Sequence, residues 1–199
     1  MCNYLKSRLL LVIGLMFVSF GCKEKSKIEL KVPLNTFSMN VNKQLWQPSV
    51  IDKDPCYATF RCEWSAQNNI PFYIIRAYKD SQSRADYTSE NYFRLQIMNV
   101  QSEGNYSINE PYDDFTSYAR FIKNDSGNQT IYENSANKLN SSATIEEIIS
   151  IEGSGFTGIK GSFSGILYNI NNQNDSIIID KCNFTFNKVN WANFCQCSE

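Results

Sequence analysis

The amino-acid sequence predicts an all-β protein, folded as an antiparallel β-sandwich or an open β-barrel of about 8–10 strands. Two observations lead to this fold class. From residue 36 onward, apolar and polar residues alternate with a period of two rather than 3.6. Short polar turns separate the alternating segments, and 42% apolar with 20% charged residues is typical of globular proteins. Because no repeat or linker divides this part of the chain, residues 36–199 are expected to form one domain.

The first predicted strands are Thr36–Val41 and Leu45–Trp46, joined by a turn at Asn42–Lys43 and ended by Pro48. The segment Cys56–Trp64 also alternates, which is typical of a half-buried strand. Its inward face would hold Cys56, Ala58, Phe60, Cys62 and Trp64. The middle of the chain adds four strands, at Phe72–Tyr78, Tyr92–Met98, Tyr118–Ile122 and Gln129–Tyr132. A polar turn is expected between the last two of these.

The last third of the chain predicts two long strands, Ile159–Tyr168 and Ile177–Phe186, with a turn at Asn171–Asp175 between them. Ala143–Ile151 is the one segment whose pattern also suits a helix. If Ala143–Ile151 is a strand, its neighbouring acids Glu146 and Glu147 should point to opposite faces.

Several kinds of chemistry are excluded by composition. The chain contains no histidine, which removes Ser-His-Asp and Cys-His nucleophilic sites, histidine-bound metals and imidazole acid–base catalysis. With 19 basic and 20 acidic residues there is no broad basic surface, so no nucleic-acid partner is expected. Cysteine-only zinc coordination is a minor alternative, because the spacings C-x-C and C-x5-C differ from the usual knuckle. We therefore expect no metal and no cofactor.

The first 21 residues have the pattern of a signal peptide. Lys6 and Arg8 precede the apolar run Leu9–Phe20. Twelve helical residues span about 18 Å, less than the roughly 30 Å of a bilayer core. The sequence Val18–Cys22 resembles the lipobox of bacterial lipoproteins, and this resemblance implies cleavage before Cys22 and acylation of Cys22, with palmitate among the expected chains.

Residues 22–35 are expected to form a charged tether that links the acylated Cys22 to the domain. Two or more acyl chains anchor a protein stably to a membrane. Charged residues directly after the lipidated cysteine, with lysine rather than aspartate at position 23, resemble lipoproteins sent to the bacterial outer membrane or cell surface. Membrane contact through the acyl chains is thus the first expected partnership.

Two motifs, Phe37–Trp46 at the start of the domain and Gly158–Leu167 with Ile177–Phe186 at its end, resemble those of a family of uncharacterised β-rich lipoproteins from Bacteroidota-type bacteria. Phe37–Trp46 resembles the opening Phe-x-x-x-Val-Asn-Gly-x-x-Trp of that family, with Lys43 at the turn glycine. Gly158–Leu167 and Ile177–Phe186 resemble its closing hairpin. The resemblance covers roughly residues 37–186 and implies a β-rich fold and an envelope location. The family has no assigned catalytic residues.

Five cysteines remain after Cys2 and Cys22 are set aside, and in an oxidising envelope they can form at most two disulfides. These disulfide candidates are Cys56, Cys62, Cys182, Cys195 and Cys197. If Cys56 and Cys62 share a strand, they lie about 20 Å apart, beyond the reach of a disulfide. Each then needs a partner on another element, so we expect the C-terminal tail to be linked to the sheet.

Residues 153–158 match the dinucleotide-binding pattern G-x-G-x-x-G. That motif binds a pyrophosphate only when its last glycine opens a helix. Here Gly158 opens an alternating, strand-like segment. The glycines are therefore expected to allow a turn and close strand packing.

Four tyrosines beside acids and amides are the candidates for ligand binding: Tyr87, Tyr92, Tyr112 and Tyr118. At each position, packing over the end of the core is an equally good interpretation. No catalytic residue is assigned, and the favoured function is a non-catalytic binding module for a glycan or an envelope protein. The alternatives are a carboxylate-based, glycosidase-like hydrolase and a structural subunit of a surface assembly. The carboxylates available for a hydrolase are Asp86, Glu90, Asp113, Asp114, Glu146 and Glu147.

Overall fold

A computed structural model describes residues 35–48, 59–79, 91–125, 127–150, 155–187 and 189–190. Eleven strands occur in these residues: β1 (Thr36–Val41), β2 (Gln44–Trp46), β3 (Phe60–Gln67), β4 (Ile70–Tyr78), β5 (Tyr92–Met98), β6 (Gly104–Ser107), β7 (Tyr118–Asp125), β8 (Asn128–Glu133), β9 (Ser142–Ser150), β10 (Thr157–Asn169) and β11 (Asn172–Phe186). The all-β prediction is confirmed, with one strand more than the expected range. No helix in the described residues is long and apolar enough to cross a membrane.

The strands form one antiparallel sheet in the order β2-β1-β11-β10-β8-β7-β5-β4-β3. Strand β9 pairs with β10 beside β8, and β6 pairs with β9. The length of β10 allows both contacts, because residues 157–164 face β9 and residues 168–169 face β8. The sheet thus branches along β10.

Strands that are distant in the sheet order share one core. The rings of Phe93 in β5 and Phe163 in β10 have centroids 5.9 Å apart. Trp46 in β2 lies 5.8 Å from Phe121 in β7. Such contacts require the sheet to curve until its two halves face each other, as in a sandwich or open barrel. The inward faces of both halves supply the buried aromatic and aliphatic side chains.

The segment with helical character, residues 143–151, is a strand up to Ser150, so the helical alternative is wrong there. A β-bulge in the β9–β10 ladder explains the misleading pattern, because Lys160 pairs with Glu147 while Gly161 pairs with Ile145. The extra residue, Glu146, interrupts the period of two. The expectation that Glu146 and Glu147 face opposite sides is also wrong, since both are exposed.

Two further differences concern polar residues near the strand ends. The turn between β10 and β11 consists of Ile170 and Asn171, so Asn172–Asp175 belongs to β11 rather than to the turn. The side chain of Asp175 accepts hydrogen bonds from Asn169 and Tyr132 at 2.8 and 3.1 Å. These two hydrogen bonds give the polar Asp175 partners on neighbouring residues and so stabilise it within the strand. Strand β6 is short and begins at a glycine, so no alternating pattern marked it.

The close strand packing expected at the glycines is present at Gly158. A Cβ atom there would overlap the backbone carbonyl of Phe186 on the paired strand β11. Gly158 lies in β10, not at the start of a helix. Gly158 therefore lacks the helix that a dinucleotide-binding motif requires. Gly153, the first glycine of the motif, lies outside the described residues.

Candidate functional site: an arginine cleft on the outer face

Four arginines form a continuous row across the outer face of β3, β4, β5 and β7, which we call the arginine row. Arg61 pairs with Arg76, Arg76 with Arg94, and Arg94 with Arg120. Paired residues on antiparallel strands bring their side chains to within about 5.5 Å at Cβ. Each arginine follows the same rule of alternation: its neighbours in the sequence point into the core, so its own side chain points outward.

Two glutamates on the same face neutralise part of this charge. Glu63 contacts both Arg61, at 3.2 Å, and Arg76. Glu133 pairs with Arg120 at 3.1 Å, at the β8 end of the row. Within the described residues, no carboxylate pairs with Arg94. The row therefore carries more positive than negative charge, and the excess is centred on β5.

Arg94 makes other contacts instead. Its Nη2 donates to the side-chain oxygen of Gln96 at 3.3 Å, and its guanidinium carbon lies 5.4 Å from the ring centroids of both Tyr112 and Tyr118. Arg120 lies 4.5 Å from the centroid of Tyr112. The Nε of Arg94 is buried and has no hydrogen-bond partner in the part of the chain that the structure describes.

The loop between β6 and β7 places Tyr112 over the arginines. Gln96, which is 1% exposed, donates from one nitrogen to the backbone carbonyls of Asp114 and Thr116, both at 3.0 Å. Thr116 in turn donates to the carbonyl of Pro111 at 2.9 Å. Tyr112 also meets Tyr118 edge to face, with centroids 5.0 Å apart. A buried amide thus fixes the loop so that its tyrosine covers two guanidinium groups.

These side chains border a cleft of about 410 Å³, which we call the arginine cleft. Its lining consists of Arg76, Tyr92, Arg94, Tyr112, Arg120, Ile122, Gln129 and Ile131. Among these described lining residues there are three arginines and no carboxylate. The volume lies in the range of pockets for small molecules or for single units of a polymer.

The predicted ligand-binding tyrosines differ in how far they are exposed at the arginine cleft. Tyr92 lines the cleft and is 7% exposed, Tyr112 lines it and is 41% exposed, and Tyr118 is fully buried beneath Tyr112. Tyr87 lies outside the described residues. Burial raises the pKa of Tyr92 and of Tyr118, and nearby arginines oppose that rise, Arg76 and Arg94 at Tyr92 and Arg94 at Tyr118. Of the three described tyrosines, Tyr112 is thus the one with substantial surface for a ligand.

A second cleft of about 490 Å³ lies near Trp46, but its charged groups have partners within the described chain. Lys79 donates to the carbonyl of Gln47 at 3.3 Å, Lys123 pairs with Asp125 at 2.7 Å, and Asp175 accepts two hydrogen bonds. The arginine cleft is the better candidate, since its central cation, Arg94, pairs with no carboxylate among the described residues.

The structure describes two of the five candidate disulfide cysteines. Cys62 and Cys182 are buried and form no disulfide with each other, and burial raises the pKa of each thiol. Their possible partners Cys56, Cys195 and Cys197, together with Cys22 and residues 1–34, lie outside the described residues, so the disulfides and the lipid site remain predictions. Among the described residues, no group of three or more Cys, Asp or Glu is placed to hold a metal.

None of the four described carboxylates of the hydrolase alternative, which are Asp113, Asp114, Glu146 and Glu147, lines the cleft. Glu146 pairs with Lys160 at 3.1 Å, and Asp113 accepts from the backbone nitrogen of Phe115 at 2.9 Å. Asp86 and Glu90 lie outside the described residues. Nothing in the described part of the chain therefore favours a two-carboxylate mechanism.

The arginine row was missed by sequence reasoning, although a signal was present. Each arginine stands between two apolar residues in a predicted strand, as in Phe60-Arg61-Cys62 and Phe93-Arg94-Leu95. An arginine in that setting must project from the outer face. The alignment of all four, however, depends on strand order and register, which the alternation does not reveal.

Fold and site together define an all-β domain with a cationic, tyrosine-covered cleft on the outer face of its sheet. The chain matches the family described as Domain of unknown function (DUF5025) over residues 34–187, and it belongs to that family. The expectation of an uncharacterised family is confirmed at this level. Comparison with curated proteins found no match, and neither did comparison with solved structures.

Proposed function

We propose that this protein is a lipid-anchored component of a bacterial cell envelope whose β domain binds a glycan in the arginine cleft without catalysis. The observation that carries the proposal is the exposed ring of Tyr112, held above Arg94 and Arg120 at the cleft. An aromatic face beside fixed hydrogen-bond donors is suited to a sugar ring, whose C–H face packs on the aromatic while its polar groups meet the donors.

A glycan suits the cleft better than a partner protein does. Protein interfaces of standard size bury about 800 Å² on each side and are broad. The arginine cleft is a concave site of about 410 Å³, closer to the dimensions of a small-molecule pocket. A surface protein that presents one sugar or one side chain to the cleft would use the same contacts, and the binding experiment separates these ligands.

The membrane anchor in this proposal rests on the sequence. The pattern around Cys22 supports acylation, and the charged residues that follow support an outer-membrane or surface location. Substituting Cys22→Ser should abolish acylation and move the protein from the membrane fraction to the soluble fraction. Mass spectrometry of the purified N-terminal peptide checks this result. An unmodified Cys22 in the native protein would contradict the anchor.

The ligand is tested with the full-length protein in detergent micelles against an array of neutral and acidic polysaccharides. Tyr112→Ala should abolish binding to the glycans that the native protein retains, because it removes the exposed ring. Phe115→Ala is the matched control, since Phe115 is 62% exposed in the same loop but does not line the cleft. Retention without new reducing ends supports a non-catalytic module, whereas release of shorter products would favour the hydrolase alternative.

Two results would overturn the glycan assignment. The first is a polysaccharide array on which Tyr112→Ala binds no glycan more weakly than the native protein does. The second is the recovery, from envelope extracts, of one protein whose association is lost in Tyr112→Ala and retained in Phe115→Ala. That second outcome would assign the cleft to an envelope protein, or the chain to a surface assembly.

A further inference from the structure

We infer that the arginine cleft recognises a carboxylate group, and that the glycan is therefore an acidic one in which a uronic-acid unit is bound by Arg94. This inference rests on the proposed function, because it takes the cleft as the glycan site and names the chemical class of its ligand. It begins from the unequal partnering of the arginine row.

Three of the four arginines contact a carboxylate of this chain: Arg61 and Arg76 contact Glu63, and Arg120 contacts Glu133. Arg94 lies between Arg76 and Arg120 in the cross-strand register. Like charges directly opposite one another destabilise a sheet. An anion placed at Arg94 would relieve this repulsion on both sides.

The hydrogen bonds of Arg94 leave its Nε without an acceptor among the described residues. Its Nη2 donates to Gln96, while its Nε is buried and has no partner among the described residues. A buried donor without an acceptor destabilises the folded state, and more so when it is charged. The guanidinium is also fixed by the rings of Tyr112 and Tyr118, each 5.4 Å from its carbon atom. The group is thus held in place for an acceptor that the described chain does not supply.

A carboxylate matches this donor better than a tetrahedral anion does. The guanidinium is planar, and its Nε–H with a neighbouring Nη–H forms a fork that fits the two oxygens of a carboxylate. The cleft lining also includes Ile122 and Ile131 beside the exposed face of Tyr112, so the ring that carries the carboxylate would have apolar surface to contact. Carboxylate and ring lie next to each other in a uronic acid.

The experiment measures binding of polygalacturonate oligomers to the full-length protein in micelles by calorimetry. The comparison probes are the same oligomers methyl-esterified at the carboxylate, and dextran sulfate. We expect the acid to bind, and the ester and the sulfate to bind at least about tenfold more weakly, because a charge-assisted bidentate contact is lost or mismatched.

Variants assign the effect to Arg94. Arg94→Gln should abolish acid binding, and Arg94→Lys should weaken it about tenfold, because lysine keeps the charge and loses the planar fork. Lys181→Gln removes an equal charge from an exposed position on β11 and should change nothing. Circular dichroism melting of each variant shows that the fold is retained.

Each other outcome is decisive. Equal binding of acid and ester, still dependent on Tyr112, would overturn the carboxylate while the glycan function stands. Binding of dextran sulfate equal to that of the acid would show a general anion site instead. No binding of any polysaccharide would remove both proposals. Acid binding that requires the variant Asp86→Asn/Glu90→Gln would show that a carboxylate of this chain occupies Arg94, and would overturn the inference.

Discussion

Arg94 lies directly opposite Arg120 on the neighbouring strand, so two guanidinium groups face each other on the same side of the sheet. Arg120 is neutralised by Glu133 at 3.1 Å, whereas in the described part of the chain no carboxylate pairs with Arg94. Local repulsion of this kind lowers stability, and proteins retain such arrangements mainly at functional sites. The pair connects the stability of the sheet with the proposed binding function.

The first prediction concerns stability at this pair. Arg94→Met should leave the free energy of unfolding unchanged or raise it by about 1 kcal/mol, because methionine keeps the apolar contact with the tyrosines and removes the unpartnered charge. Chemical denaturation with the native protein as reference measures the change. A loss of more than about 1 kcal/mol would show that the cation–π contacts of Arg94 outweigh the repulsion.

The second prediction concerns Glu133, the glutamate that pairs with Arg120 at one end of the arginine row. Glu133→Gln should lower the free energy of unfolding by about 2 kcal/mol, because Arg120 would remain half-buried without its counter-charge. It should also strengthen the binding of acidic ligands severalfold, since the cleft gains net positive charge. Glu146→Gln is the control: its pair with Lys160 is nearly half exposed, so about 0–1 kcal/mol is expected. Weaker acid binding in Glu133→Gln would contradict this account.

The third prediction tests the close packing of β10. Gly158→Ala should lower the free energy of unfolding by about 3 kcal/mol or prevent folding, because the new methyl group meets the backbone carbonyl of Phe186. Gly155→Ala should have an effect within about 0.5 kcal/mol, because no atom lies within 4 Å of the added Cβ. Equal melting temperatures for the two variants would refute the overlap.

The fourth prediction is a pH dependence. Burial raises the pKa of Tyr73 from 10.0 to about 12, against the opposing effect of its hydrogen bond with Thr157. The folded state therefore holds the phenol proton more tightly than the unfolded state does. Its contribution to stability is complete below pH 10 and is lost as the pH rises toward 12, at up to about 1.4 kcal/mol per pH unit.

Two variants isolate that contribution in denaturation curves recorded between pH 9 and 11. Tyr73→Phe removes the ionising group and should give a shallower loss of stability. Thr157→Val removes the hydrogen bond between Thr157 and the Tyr73 hydroxyl, which is 2.5 Å long in the native structure, but it keeps the phenol. This variant should therefore retain the steep loss of stability. Parallel curves for Tyr73→Phe and the native protein would exclude Tyr73 as the source.

The fifth prediction concerns the cysteines. Asn190 donates from its backbone nitrogen to the carbonyl of Cys62 at 3.0 Å, and its side-chain oxygen accepts from Trp64 at 2.6 Å. Cys195 follows five residues later, within about 17 Å of extended chain. A thiol count on the denatured, unreduced mature protein should find one free cysteine, and peptide mapping should link the tail to the sheet. Five free thiols would rule out the linkage.

The sequence was sufficient for most of the fold, because one-sided burial produces a period of two. Strands β4, β5 and β7 show this most clearly, with buried residues such as Ile75, Leu95 and Ala119 flanking the outward arginines. Sequence-based prediction left a helix as an alternative at β9, because the bulge at Glu146 adds one residue and shifts the alternation. It also missed β6, whose four residues pair only with β9.

The site was less predictable than the fold. Neighbouring acids and amides mark Tyr92, Tyr112 and Tyr118 as ligand-binding candidates in the sequence, and the structure brings these tyrosines together from two separate segments. Their meeting with Arg94 depends on the order β7-β5-β4 and on the register of each pair. Alternation fixes which face a side chain takes but not which residue stands beside it, so the arginine row could not be read from the sequence.

Strand β3 is the last in the sheet order, and an outermost strand offers its amide and carbonyl groups to any other extended chain. Asn190 occupies two of those groups, at Cys62 and Trp64. The polypeptide thereby blocks, with the backbone nitrogen and side-chain oxygen of Asn190, a register through which identical molecules could join edge to edge. In a crowded compartment, these two hydrogen bonds would help to keep copies of the protein from polymerising into fibres.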